Sequence, residues 1–150
     1  MHVVRRWLGV VAIFTQTIIL PNTAQAYDTD REFTGPVAAH VTRVVDGDTF
    51  EALAAIWLGQ TITVRIRIAG IDAPELRARC ETEYDRAVAA RDYLVKRIEG
   101  GDVRLTSVRY DKYGGRVDAQ VADARGTIGD AMIKAGLARA YYGERREGWC

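Results

Sequence analysis

Two acidic clusters flank one hairpin-like stretch, residues 44–75, and an arginine stands between them. The first cluster is Asp46-Gly47-Asp48. The second lies in Arg67-Ile68-Ala69-Gly70-Ile71-Asp72-Ala73-Pro74-Glu75. Gly47 lets the backbone turn, which frees both neighbouring carboxylates to reach inward. Pro74 biases the residue before it toward extended structure, so the strand carrying Arg67 is expected to end near Asp72. Carboxylates together with a backbone carbonyl suit a hard divalent cation, and calcium accepts such oxygen ligands in loose geometry. An arginine and a spare glutamate beside such a cation are the parts needed to hydrolyse a phosphodiester. Each residue also has a plainer reading. Asp46 and Asp48 would then be turn residues bonding their own backbone, Glu75 an exposed loop acid, and Arg67 a solvated strand side chain.

The elements that must position these groups follow from periodicity. Residues 37–45 begin the β-structure, 49–57 form a second strand, and Leu58-Gly59-Gln60 turns the chain. Residues 61–68 alternate clearly, with Ile62, Val64, Ile66 and Ile68 expected to fill a barrel and Arg65 and Arg67 to share the polar side. Helical spacing of Tyr84, Ala87, Val88, Arg91, Leu94, Val95 and Ile98 predicts a helix over 81–99, stopped by Gly100-Gly101. Its acidic first turn and basic last turn match the helix dipole. Strands follow at 102–110 and 116–122, then a short helix over 128–135. Tyr141 and Tyr142 read as half-buried core residues, with base stacking as the alternative.

Val44-Val45-Asp46-Gly47-Asp48-Thr49, Arg67-x-x-Gly70-Ile71-Asp72-Ala73-Pro74-Glu75 and Asp111-Lys112-Tyr113-Gly114, in that order, resemble the thermonuclease (staphylococcal nuclease-like) family. The resemblance covers about 38–142. It implies an α+β, mainly β fold: a five-stranded OB-type barrel with one long helix between strands three and four and a short C-terminal helix. It also implies calcium-dependent cleavage of DNA and RNA. On that resemblance Asp48, Asp72 and the Ala73 carbonyl would bind the cation, and Asp46 would hold a bound water. Arg67 and Arg116 would grip one phosphate, a paired geometry lysine cannot supply. Glu75 would orient or deprotonate the attacking water, while Tyr113 and Lys112 would contact substrate. The family usually has one glycine before the second arginine where this chain has two, Gly114 and Gly115. An insertion absorbed in the turn would leave Arg116 on the face opposite Val117, Ala119 and Val121. Relatives often continue into a further helix, so part of the nucleic-acid platform is expected to be reduced here. The competing reading is an OB-type module that binds an oligonucleotide or protein without cutting, or a secreted interaction domain with a vestigial site.

The N-terminal 26 residues lie apart from this domain. Arg5 and Arg6, a mostly apolar run to Leu20 and Ala24-Gln25-Ala26 make a secretory signal peptide, cut before Tyr27. The apolar run is short and interrupted for a membrane anchor. Residues 27–37 read as a disordered leader and 143–150 as a C-terminal tail. Signal removal takes two arginines and no acid, leaving 19 basic against 20 acidic residues and a net charge near −1. No global field then draws the chain to nucleic acid, so a polyanion must be held by local basic groups and a bridging metal. The expected product is a secreted or periplasmic monomer with no stable membrane association. Cys80 and Cys150 are the only cysteines; export favours a bond between them, against free thiols or an intermolecular link.

Overall fold

The computed structural model describes residues 32–111 and 114–150; the expected signal peptide, most of the expected leader, Lys112 and Tyr113 lie outside the described residues. Strands β1 (Val37–Val44), β2 (Thr49–Trp57) and β3 (Gln60–Ile68) form an antiparallel meander. After the two-residue strand β4 (Ile71–Asp72) comes helix α1 (Glu81–Ile98), and then β5 (Asp102–Tyr110) and β6 (Arg116–Asp123). Strand β5 pairs with β1, β6 with β5, and β6 closes on β3 in parallel through Arg65↔Arg116 to Ile68↔Ala119. The result is the expected closed five-stranded OB-type barrel, with its long helix between the third and fourth barrel strands. Strand β7 (Gly126–Thr127), the short helix α2 (Ile128–Lys134) and β8 (Arg139–Ala140) complete the described chain. Among the described residues no helix is long and apolar enough to cross a membrane.

The core joins the inward faces of the strands, including Val41, Phe50, Ile66, Ile68 and Val121, to Leu94 and Ile98 of α1 and Ile128 and Met132 of α2. Two expectations about these faces need correction. Ile62 does not fill the barrel; it is 45% exposed. Strand β3 has a neighbour on its second side only from Arg65 onward, so residues 60–64 form a hairpin end that overhangs the barrel. The buried stripe of α1 is also turned from the expected one. Glu83, Ala87, Ala90, Leu94 and Ile98 face inward, and Tyr84 lies half in solvent. Small side chains suit that contact, because the helix passes close to a backbone turn at Gly47.

Candidate active site

The Asp46–Asp48 turn joins β1 to β2 and is knotted by its own backbone. Val45 and Asp46 N–H groups both donate to the Thr49 carbonyl, at 2.9 and 3.2 Å. The Asp46 carboxylate accepts from the Asp48 N–H at 3.1 Å, the Asx geometry expected of such a residue. Asp48 therefore points its own carboxylate away from the turn and toward β3. Gly47 is required by space: a Cβ there would stand 2.9 Å from both the Ala73 and the Ala90 side chains. The turn is thus clamped between α1 and the segment that follows β4.

Arg67 comes from β3 and is almost wholly buried, at 8% exposure. Its Nη2 donates to the Ile71 carbonyl at 2.8 Å and lies 3.2 Å from Asp48 Oδ2. Asp48 Oδ1 accepts from the Thr49 hydroxyl at 2.8 Å. Burial pushes the Asp48 carboxyl up to about 6, against the pull of the Arg67 guanidinium. Arg116 starts β6 opposite Arg65 and pairs with the buried carboxylate of Asp111. The two-glycine turn is accommodated by left-handed backbone at Gly114 and Gly115, which leaves Arg116 facing the site.

Asp46, Asp48, Arg67, Ala73, Glu75 and Arg116 line one cavity of about 430 Å³, together with Arg65 and Arg146. Arg65 is tied at 2.7 Å to Glu51 on the outer face of the hairpin. Asp72, buried, is not part of this cavity; it lines a neighbouring one of about 350 Å³ together with Ala73, Glu75, Arg146 and Trp149. A third cavity, of about 440 Å³, also reaches Arg67 and is lined by Asp118, Gln120, Tyr141 and Tyr142. The expectation that both tyrosines are half-buried fails for Tyr142, which is 81% exposed. The chain leaves the β4–β8 pairing at that point, and among the described residues no element covers the ring.

Two site residues escaped the reading of the sequence. Arg146, in the C-terminal tail, places Nε 3.1 Å from Asp72 Oδ1 and Nη1 3.0 Å from Glu75 Oε1. Trp149 is buried, and its indole N–H donates to Asp72 Oδ2 at 3.1 Å. The tail is fastened beyond them by the expected bond between Cys80 and Cys150. A signal existed: that bond ends five residues past Glu75, so the residues just before Cys150 had to pass the acidic cluster.

The donor chemistry fits a hard cation. Asp48 supplies a nearly buried carboxylate, Asp72 another, and the Ala73 carbonyl lies on the same loop. A cation of the chain's own, the Arg146 guanidinium, already lies among these acids. Burial works against that charge, but Asp72, Glu75 and Asp48 outweigh it and hold the Arg146 guanidinium above its ordinary value. Among the described residues only Cys80, Glu83 and Cys150 bring three ligand-type atoms within 4.8 Å of one another, and those sulfurs are bonded to each other.

Residues 65–148, more than half of the chain, match the family described as staphylococcal nuclease homologue. The chain belongs to that family. The match spans Arg67, Glu75, Arg116 and also Arg146. This staphylococcal nuclease homologue is 31% identical over 128 residues to a probable endonuclease of Schizosaccharomyces pombe, covering 69% of this chain and 55% of that one. It is 37% identical over 93 residues to the probable endonuclease LCL3 of Leptosphaeria maculans, covering 59% and 31%. With a probable endonuclease of Pyrenophora tritici-repentis it shares 40% identity over 83 residues, covering 53% and 30%. The homologue spans about half the length of the first relative and about a third of the other two.

Proposed function

We propose that this protein is a calcium-dependent nuclease that hydrolyses phosphodiester bonds of DNA, RNA or both, working as a monomer outside the cytoplasm. The observation that carries the reading is the convergence of Arg67, Arg116, Glu75, Asp46 and Asp48 on one cavity in a barrel of this family. The signal-like N-terminus and the bond between Cys80 and Cys150 support export to an oxidising compartment. Calcium, held by Asp48, Asp72 and the Ala73 carbonyl with Asp46 positioning a bound water, would supply charge to offset the phosphate.

The residues of the chain do the rest. Arg67, held by the Ile71 carbonyl and Asp48, presents a fixed fork of donors to a phosphate oxygen. Such donors are worth most where charge develops in a site shielded from water, and burial of Arg67 provides that setting. Arg116 faces the same cavity from β6 and would take a second oxygen of the same phosphate. Glu75 is 60% exposed at its side chain, open to the water it would orient or deprotonate. No covalent nucleophile is required. Lys112 and Tyr113 would meet the flanking substrate.

Purified residues 27–150 should cut single-stranded DNA or RNA with calcium and leave both intact with chelator. Equal cleavage under the two conditions would remove the metal from the mechanism. Calcium binding with neither substrate cut would make the protein a binding module.

A further inference from the structure

We infer that Arg146 is a resident counter-cation of the acidic site, carried there by a disulfide-anchored C-terminal strap, and that calcium binds by displacing it from Asp72. The inference rests on the calcium-nuclease reading above. Its geometry lies in how the strap, residues 143–150, is fastened. Cys150 is bonded to Cys80, just ahead of α1. Trp149 is buried against the Arg139 guanidinium, 3.8 Å from its ring centroid, and Arg139 also donates to the Gly148 carbonyl at 3.2 Å. Arg139 in turn pairs with Asp72 across the β4–β8 ladder. The end of the strap is therefore locked to the strand that carries the acid.

From that lock Arg146 reaches over the site. One edge of its guanidinium engages Asp72 Oδ1 and another engages Glu75, while Tyr141 lies 5.5 Å from it. Trp149 already holds Asp72 Oδ2 by a hydrogen bond, and Arg146 covers Oδ1 as an ion pair. A metal ion and a guanidinium compete for the same negative charge, so a cation approaching Asp72 Oδ1 meets the repulsion of the guanidinium that covers it. Release is local. The Arg146 side chain is 44% exposed on a flexible stem, and the bonds at Trp149 and Cys150 do not pass through it. Swinging it outward frees Asp72 Oδ1 and Glu75 and leaves Trp149 to orient the carboxylate.

Calcium titrated calorimetrically into the oxidised mature protein, without substrate, tests this. If Arg146 leaves Asp72 free about a tenth of the time, Arg146→Gln should tighten calcium roughly tenfold. Arg146→Lys, which keeps a charge but loses the fork, should fall between the two. Arg145→Gln removes an equal charge one residue away and should leave the affinity near that of the unaltered protein. Unchanged or weaker binding in Arg146→Gln, or equal tightening in Arg145→Gln, would overturn the displacement. No calcium binding by any form would instead defeat the calcium reading beneath it. Normal calcium-dependent cleavage with no effect of Arg146→Gln on affinity would defeat this inference alone.

Discussion

Asp48 combines a nearly buried carboxylate with only partial compensation, and its pH behaviour follows. Burial raises it to about 6, above the ordinary 3.8, and Arg67 offsets only part of that. A carboxyl whose folded value is raised adds stability that is fully present below about 4 and lost as pH rises through about 6. In metal-free protein, Asp48→Asn should therefore gain melting temperature relative to the unaltered chain as pH goes from 4 to 7. A difference that stays constant over that range would refute the raised value. Arg67→Ala should lower turnover roughly a hundredfold or more, the usual loss when one donor aimed at developing charge is removed. Arg67→Lys should recover little of it, since the donors to Ile71 and to phosphate need the planar fork. Glu75→Gln keeps shape without basicity, so substrate affinity should survive while turnover falls. Single-turnover cleavage beside equilibrium binding separates these outcomes.

The elements meet tightly where α1 crosses the acidic turn. Ala90 of α1 and Ala73 after β4 both approach Gly47 so closely that one added carbon meets each at 2.9 Å. Real side chains do not tolerate that distance, so the turn or the helix must shift. Gly47→Ala should cost roughly 1–3 kcal/mol in thermal or denaturant unfolding, the range for overpacking a filled site. It should also weaken calcium binding, because the displaced turn carries Asp46 and Asp48. Adding Ala90→Gly removes one of the two contacts and should restore part of the calcium affinity despite the lower helix propensity. An unaltered calcium titration in Gly47→Ala would show that the turn is not held by this packing. The far end of α1 is tied separately: Arg97 Nε lies 3.1 Å from Asp123 Oδ2, with both side chains mostly buried. Burial opposes the charge on Asp123, but Arg97 and Arg125 prevail and hold its carboxyl below the ordinary value.

Across the whole molecule the Cys80–Cys150 bond closes a loop of 70 residues that contains α1, β5, β6 and α2. In the chain-entropy account, such a loop constrains the unfolded chain by about 4 kcal/mol. Reduction, or replacement of both cysteines by serine, should lower the unfolding free energy by up to that amount, measured by denaturant titration with and without reductant. Equal midpoints would mean that the bond contributes nothing beyond the strap's own contacts. Losing the bond should also loosen Trp149 and Arg146 together, since both lie within five residues of it.

The sequence alone carried whatever depends on neighbours along the chain. Alternation placed the strands and the hairpin, helical spacing placed α1, and Gly47 between two aspartates marked the turn. Motif order brought Asp48, Arg67, Glu75 and Arg116 to one cavity and Asp72 to a neighbouring one, and a single pair of cysteines left one internal bond to form. What depends on distant neighbours was decided only by the tertiary structure. Ile62 and Ile66 share a strand face, yet only Ile66 is buried, because β6 reaches β3 from Arg65 onward. The buried stripe of α1 turned to Ala90 because the helix had to fit against Gly47, a contact no periodicity encodes. Arg146 and Trp149 meet Glu75 and Asp72 across 71 and 77 positions of sequence. Neither belongs to a regular element, so no local pattern points at them; the disulfide and the packing of one indole put them there.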